Sequence, residues 1–287
     1  MNRTILICLC LSLCSGCAKL SKFDGQYESA SKDIFLKADI NEQLIYKGND
    51  VIIRAVSLDM NAPEGPVLVF SGKNMSNREC VVTLKYCSVN NIMIEPDFKM
   101  IIEPSGDAMA EAVFPERFLL TTGIQTFSSI SFIARIADAS DSRKYIDTDQ
   151  INILTSMSGK YTQKKEFTGT QIVDSNGVRL IVGRNPDFNS PLNRQIYIYA
   201  DNSSSEDIVL EIKELRVNGI KMEPFFIETI CAGKTSWAPL TFRDSDIVEN
   251  GIISIEELVI SFRVVSVFGT IIDTDGCQIL FNQETAV

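Results

Sequence analysis

Histidine is absent from the whole chain of 287 residues, and tryptophan occurs once. Histidine is the commonest general base in enzymes and a common metal ligand, so its absence excludes Ser-His-Asp and Cys-His catalytic sites. The chain also has few cations: 27 Lys plus Arg face 37 Asp plus Glu, giving a formal net charge of −10. Without an excess of basic residues to neutralise phosphates, we expect no binding of nucleic acid. We predict a protein that is not an enzyme and that has no cofactor.

The only marked apolar run is too short to cross a bilayer, and it stands at the N-terminus. Arg3 is followed by a nearly continuous apolar stretch that ends at Leu13, about ten residues, which is the length of a signal-peptide core. Ser15-Gly16-Cys17 follows and resembles the bacterial lipobox, although Cys14 stands where Leu or Val is usual. The resemblance implies a signal peptide at residues 1–16 and lipidation of Cys17. The alternative is an ordinary cleaved signal.

The lipidated cysteine predicts an extracytoplasmic protein that contacts the membrane through its lipid anchor. Residues 17–32 are polar and rich in serine, without an apolar period, and we interpret them as a tether. From residue 33 onward, short apolar runs alternate with turn residues. Val67-Leu68-Val69-Phe70, for example, ends at Ser71-Gly72. Such short β-branched and aromatic runs predict an antiparallel β-sandwich.

The chain contains one module twice. The segment 217–226 repeats the segment 89–98, at an offset of 217 − 89 = 128 residues. At this offset residues 74–135 align with 202–263 without a gap, and we also align 49–54 with 177–182. The duplication predicts an all-β chain of two tandem antiparallel immunoglobulin-like β-sandwich domains, repeat 1 at residues 33–156 and repeat 2 at residues 157–287.

The repeated segment itself has a structural interpretation. Asn218-Gly219 in one copy and Asn90-Asn91 in the other suit a two-residue type I′ hairpin turn, where both residues need positive φ. Just before each turn the apolar alternation shifts by one residue, which predicts a β-bulge at 85–86 and at 213–214. Farther on, residues 244–251 predict one helical turn, capped by Ser245 or Asp246 and closed by Gly251.

The four cysteines beyond the anchor do not suggest disulfides. Cys80, Cys87 and Cys277 align with aliphatic residues of the sister repeat, so we interpret them as small buried hydrophobic residues. Cys231 aligns with Glu103 and is expected in an exposed loop. Trp237 aligns with Met109 and is expected in the core.

Two charged positions recur in both copies, Glu95 with Glu223 and Arg135 with Arg263. They could form a ligand site in each repeat. We favour a structural role, either an ion pair within each repeat, such as Glu223 with Arg263, or a charge bonded to the backbone. The acidic loop at residues 138–149 and Asp273-Thr274-Asp275-Gly276, with Glu284 at the twelfth position, suggest calcium only weakly, because residue 277 is cysteine and the flanks look like strands.

Four short motifs of repeat 2 are similar to repeats in uncharacterised lipoproteins of anaerobic Gram-positive bacteria. They are Val217-Asn218-Gly219, Ala232-Gly233-Lys234, Glu249-Asn250-Gly251-Ile252 and Ser261-Phe262-Arg263. The resemblance implies display on the cell surface and brings no catalytic residues. The predicted function is a non-catalytic binding or structural role towards an unidentified protein or glycan. The alternatives are a glycan-binding module and a carboxylate-dependent glycan hydrolase.

Overall fold

The computed structural model describes residues 34–183, 194–223 and 226–281. The predicted signal peptide, Cys17 and the tether lie outside the described residues, as does Glu284. Within the described residues, no helix has the length and apolar character needed to cross a membrane.

Repeat 1 folds into two packed antiparallel sheets. Its elements are β1 (Gln43–Gly48), β2 (Val51–Asp59), β3 (Val67–Asn74), β4 (Cys80–Val89), β5 (Ile92–Met93), β6 (Met100–Ile102), β7 (Asp107–Val113), α1 (Glu116–Thr121), β8 (Ser129–Asp138), β9 (Asp141–Asp147) and β10 (Ile151–Leu154). One sheet has the order β1-β2-β3-β7. In the other, β4 pairs with β8, with β5 and β6 beyond β4 and with β9 and β10 beyond β8.

Repeat 2 has the same elements in the same order. They are β11 (Gly169–Ser175), β12 (Val178–Gly183), β13 (Arg194–Asn202), β14 (Ile208–Val217), β15 (Ile220–Met222), β16 (Ile227–Ile230), β17 (Thr235–Phe242), α2 (Asp244–Glu249), β18 (Glu257–Ser266), β19 (Gly269–Asp273) and β20 (Cys277–Leu280). The sheets are β11-β12-β13-β17 and a second sheet built on β14 and β18.

The prediction of an all-β chain with antiparallel sandwich sheets is confirmed. In each repeat the chain crosses between sheets three times, in repeat 1 from β3 to β4, from β6 to β7 and from β7 through α1 to β8, as in immunoglobulin-like sandwiches. The predicted boundary at 156/157 falls between β10 and β11. One detail of the alignment is wrong: Val178 occupies the place of Val51, directly after the first hairpin turn, so the offset there is 127.

Alternation along the strands explains the cores. In β2 and β18, for example, apolar side chains at every second position are buried while most of their neighbours are partly or fully exposed, so one face of each sheet turns inward. Each repeat thereby builds an apolar cluster of its own. The cluster of repeat 1 also includes Tyr199 and Trp237 of repeat 2, so the two cores meet.

The two hairpin turns and both bulges form as predicted. Asn90, Asn91, Asn218 and Gly219 all have positive φ, between 49° and 79°, and each pair joins two antiparallel strands. The register of β4 on β8 shifts after Lys85, and that of β14 on β18 shifts after Ile212. Each shift places an extra residue in one strand, which is a β-bulge.

The predicted helical turn is present, but its cap is not. α2 spans Asp244–Glu249, and Gly251 has a φ of 64° that closes it as expected. The N-cap position is Arg243, without a side-chain hydrogen bond, so neither Ser245 nor Asp246 caps the helix. α1 begins in the same way after Pro115.

Candidate functional site

The recurring arginines form ion pairs, but not with the recurring glutamates. Arg135 Nε and Nη2 donate to the carboxylate of Asp147 at 2.7 and 2.6 Å, and this contact raises the pKa of Arg135 and lowers that of Asp147. Arg263 Nε lies 3.8 Å from Asp273 Oδ2. The expected pairing of Glu223 with Arg263 is therefore wrong. The reason is register: Asp147 and Asp273 stand directly opposite the arginines on the neighbouring strand.

Neither the arginines nor the acidic loops form a ligand site. Asp273, the first residue of the suggested calcium motif, pairs with both Lys213 and Arg263. Glu223 is exposed, and its Oε1 lies 3.9 Å from Lys221 Nζ. In the described part of the chain, no group of three or more acidic or cysteine side chains is placed to hold a metal ion. The two recurring arginines thus form ion pairs within their own sandwiches.

Polar contacts join the two repeats around the repeated hairpin. Lys234 Nζ donates to Asn91 Oδ1 and to Ser131 Oγ, both at 2.9 Å. The Thr235 N–H donates to the Asn91 carbonyl at 2.9 Å. Burial lowers the pKa of Lys234. The hairpin of repeat 1 is therefore a docking element for repeat 2, in addition to being a turn.

Aromatic residues form the apolar part of the same junction. Trp237 is 8% exposed, and its ring centroid lies 4.7 Å from that of Phe167 and 6.0 Å from that of Tyr199. The sister residue Met109 is 64% exposed. Trp237 is buried as predicted, but at the junction with repeat 1. Its buried Nε1 has no hydrogen-bond partner among the described residues.

Beside this junction lies a groove of about 510 Å³ that both repeats line, a volume within the range of small-ligand sites. Repeat 1 contributes the bulge of β4, the segment after β5 and the start of α1. Repeat 2 contributes parts of β16 and β17. The lining residues used below are Leu84, Lys85, Tyr86, Cys87, Met93, Glu95, Pro96, Phe118, Glu228, Ser236, Trp237 and Pro239. We refer to this surface as the inter-repeat groove.

Glu228 is the most perturbed acid in the inter-repeat groove. Ser236 Oγ donates to Glu228 Oε1 at 2.6 Å. Burial raises the pKa of Glu228, and the negative charge of Glu95 raises it further. Both glutamates line the groove, one from each repeat, and two carboxylates in one groove favour a positively charged group near them.

Glu228→Gln tests this burial through stability. The folded protein binds a proton at Glu228 more tightly than the unfolded chain does, so the contribution of Glu228 to stability falls as the pH rises from about 4.5 through the raised pKa. The glutamine variant has no such proton to lose. We expect its urea midpoint to rise relative to that of wild type between about pH 4 and pH 7. Glu223→Gln, in the sister motif, should follow wild type; identical behaviour of Glu228→Gln and wild type would refute the assignment.

The four cysteines of the described residues are free thiols and do not resemble nucleophiles. Burial raises the pKa of Cys87 to about 12 and that of Cys231 to about 11, so neither forms a thiolate readily. Cys87 is buried as predicted. Cys80 and Cys277 are only partly buried, because each lies towards the end of its strand, and Cys231 is half-buried in a turn and not in an exposed loop.

The inter-repeat groove was not predicted, although a signal for it existed. Most of its residues stand where the two copies differ: Tyr86 and Cys87 align with Glu214 and Leu215, and Trp237 with Met109. The recurring residues in the groove are Lys85, Glu95, Pro96 and Ala238. A residue retained in both copies supports the fold that both share, whereas a site between the copies requires residues that only one of them has.

Neither a family model nor a curated protein matches the chain. Among solved structures, it is similar to the YadV chaperone, with 10% identity over 80% of this chain and 100% of that one, at a TM-score of 0.26. It is also similar to the Salmonella enterica SafA pilin in complex with the SafB chaperone (10% identity, 75% and 88%, TM-score 0.19). A third is the Pseudomonas aeruginosa CupB2 chaperone (11%, 74% and 90%, TM-score 0.18). Such TM-scores carry no argument about function.

Proposed function

We propose that the chain is a lipid-anchored protein of the extracytoplasmic face of the cell membrane that binds a partner, without catalysis, in the inter-repeat groove. The observation that carries the proposal is that residues of both repeats line one groove, most of them at positions where the sister copies differ. Tyr86, which is 41% exposed, lies on this surface. A structural spacer would need no such departure from the shared sequence.

Absence of catalysis is supported by the chemistry of the groove. The chain has no histidine, the usual general base. The thiol of Cys87 has a raised pKa, so it does not readily form the thiolate that a nucleophile needs. The specific feature in favour of the alternative, a glycan hydrolase, is the pair of Glu228 and Glu95, since a raised pKa suits a general acid. Glu228 Oε1 already accepts a hydrogen bond from Ser236 Oγ, and most of the groove lining is apolar. Both features favour binding over hydrolysis.

The test uses the full chain on intact cells, with a photo-reactive side chain introduced at Thr229, which is partly buried and lines the groove. We expect a cross-linked partner in wild type, its loss in Tyr86→Glu, which installs the residue of the sister repeat, and its retention in Phe268→Ser. Phe268 is 83% exposed in the turn between β18 and β19, outside the groove. Equal cross-linking in all three proteins would disprove the groove as the site.

Two further readouts of the same cells test the rest of the proposal. Cys17→Ser should move the protein from the membrane fraction to the medium, whereas a protein that stays in the membrane would contradict the lipid anchor. Release of reducing ends from cell-wall polysaccharide by wild type, lost in Glu228→Gln, would show hydrolysis and overturn the non-catalytic assignment.

A further inference from the structure

The inter-repeat groove opens where two strands of one sheet separate. β5 of repeat 1 and β17 of repeat 2 are parallel and pair at one position, Ile92 opposite Thr235. Beyond this pair no further pairing joins the two strands in the described part of the chain. Residues 93–96 follow on one side and residues 236–239 on the other, and both segments line the groove. The groove is thus a gap within a sheet that runs from repeat 1 into repeat 2.

Backbone groups of both strands point into this gap. On the β5 side, the Ile94 N–H bonds to the Cys87 carbonyl of β4 at 3.0 Å. Because backbone groups alternate in direction along a strand, those of Met93 and Glu95 point away from β4. The Met93 N–H belongs to the bridge with Thr235, so the open groups on this side are the Met93 carbonyl and the N–H and carbonyl of Glu95. On β17, the Thr235 N–H bonds to Asn91 of repeat 1, so the groups of Trp237 and the Pro239 carbonyl point away from β13. Unpaired strand edges of this kind accept an added strand.

We propose that the inter-repeat groove binds an extended peptide segment that pairs with the edges of both β5 and β17 and so completes the sheet between the repeats. The inference rests on the proposed function and names the class of its partner. Each edge offers four residues, which an extended segment of about 13 Å would match at roughly 3.3 Å per residue.

The side chains of the groove define the peptide further. Leu84, Phe118 and Pro96 offer apolar contacts, and Glu95 and Glu228 favour a cation. The groove also contains Lys85. Its Nζ lies 5.1 Å from the ring centroid of Tyr86, and its charge helps to lower the pKa of Asp147, so Lys85 interacts with residues of repeat 1. The fitting segment alternates apolar side chains with Lys or Arg. A glycan fits less well, because Trp237 is buried and offers no open ring face.

The test measures binding of the full chain to a fluorescent peptide, acetyl-Lys-Val-Thr-Val-Lys-Val-Thr-amide, and to two versions with N-methylated amides. One version carries N-methyl groups on the odd residues and the other on the even residues, so that each removes the donors along one edge. We expect each version to bind roughly tenfold more weakly, through loss of one or two hydrogen bonds. Undiminished binding of either version would show that only one edge, or none, is used.

Protein variants supply a matched pair. Glu95→Pro removes an N–H that points into the groove and leaves the Ile94 bond to β4. We expect affinity for the unmodified peptide to fall roughly tenfold relative to Glu95→Gln, which removes only the charge. Glu223→Pro makes the same change at the equivalent position of repeat 2, outside the groove, and should leave affinity unchanged. Thermal midpoints verify that both proline variants fold. The N-methylated peptides test wild-type protein and do not depend on either variant.

Two outcomes separate this inference from the proposed function. If the peptide does not bind while cross-linking on cells still depends on Tyr86, the groove binds something other than an extended strand, and the inference fails alone. Groove-dependent binding of cell-wall polysaccharide in place of the peptide would overturn the inference in favour of a glycan. If cross-linking does not depend on the groove, the proposed function fails as well.

Discussion

Trp237→Ala should lower the free energy of unfolding by about 3–5 kcal/mol, the range for truncating a large buried aromatic side chain. Trp237 packs against Phe167 and Tyr199 and joins the core of repeat 1. Its removal therefore leaves a cavity at the junction of the two repeats. Urea unfolding followed by circular dichroism measures the effect, because the variant loses the only tryptophan and with it the intrinsic tryptophan fluorescence.

Met109→Ala is the matched control for this substitution. Met109 occupies the equivalent strand position in repeat 1 but is 64% exposed, so its truncation should change stability by less than about 0.5 kcal/mol. Loss of the shared core should also separate the unfolding of the two repeats into two transitions, whereas Met109→Ala should keep the wild-type curve. If the two variants have equal stability, Trp237 does not hold the junction together.

The duplication explains why the sequence predicted so much of each sandwich. Because the module occurs twice, the residue at each position can be compared with its counterpart in the other copy. The features that the copies share are local: the alternation of β14, the turn at Asn218-Gly219 and the glycine after α2. Local backbone preferences decide such features before any long-range contact forms.

The junction could not be predicted in the same way. Periodicity identifies an apolar face but not the surface that covers it. The sequence therefore predicted that Trp237 is buried in a core, but not that this core belongs to repeat 1. Lys234 bonds to Asn91 and Ser131. It aligns with Gly106, so repeat 1 has no side chain at this position with which Lys234 could be compared. The wrong partner for Arg263 has a related cause: the pairing depends on which residue of β19 lies opposite, and register across strands is a tertiary property.

Asn90→Gly should cost about 2–3 kcal/mol, although glycine suits the turn better than asparagine does. Asn90 has a φ of 52°, so glycine leaves the backbone unstrained and removes only the side chain. That side chain is buried and bonded on both sides. Its Oδ1 accepts the N–H groups of Ser128 and Ser129 at 2.7 and 3.3 Å, and its Nδ2 donates to the Thr126 carbonyl at 2.8 Å. Each group would lose its partner away from water.

Two further glycine substitutions separate this network from the turn. Asn91→Gly copies Gly219 of the sister repeat at an exposed position with a φ of 65°, and it removes the Oδ1 that accepts Lys234 Nζ. Urea unfolding should show a loss of about 1 kcal/mol, smaller than that of Asn90→Gly. Asn218→Gly removes the same kind of bonds, to Ser254, Glu256 and Glu257. Asn218 is exposed, so water can replace its side chain, and we expect a loss of only about 1 kcal/mol. A smaller loss for Asn90→Gly than for Asn218→Gly would contradict a buried network at the repeat junction, because burial is the one property in which the two asparagines clearly differ.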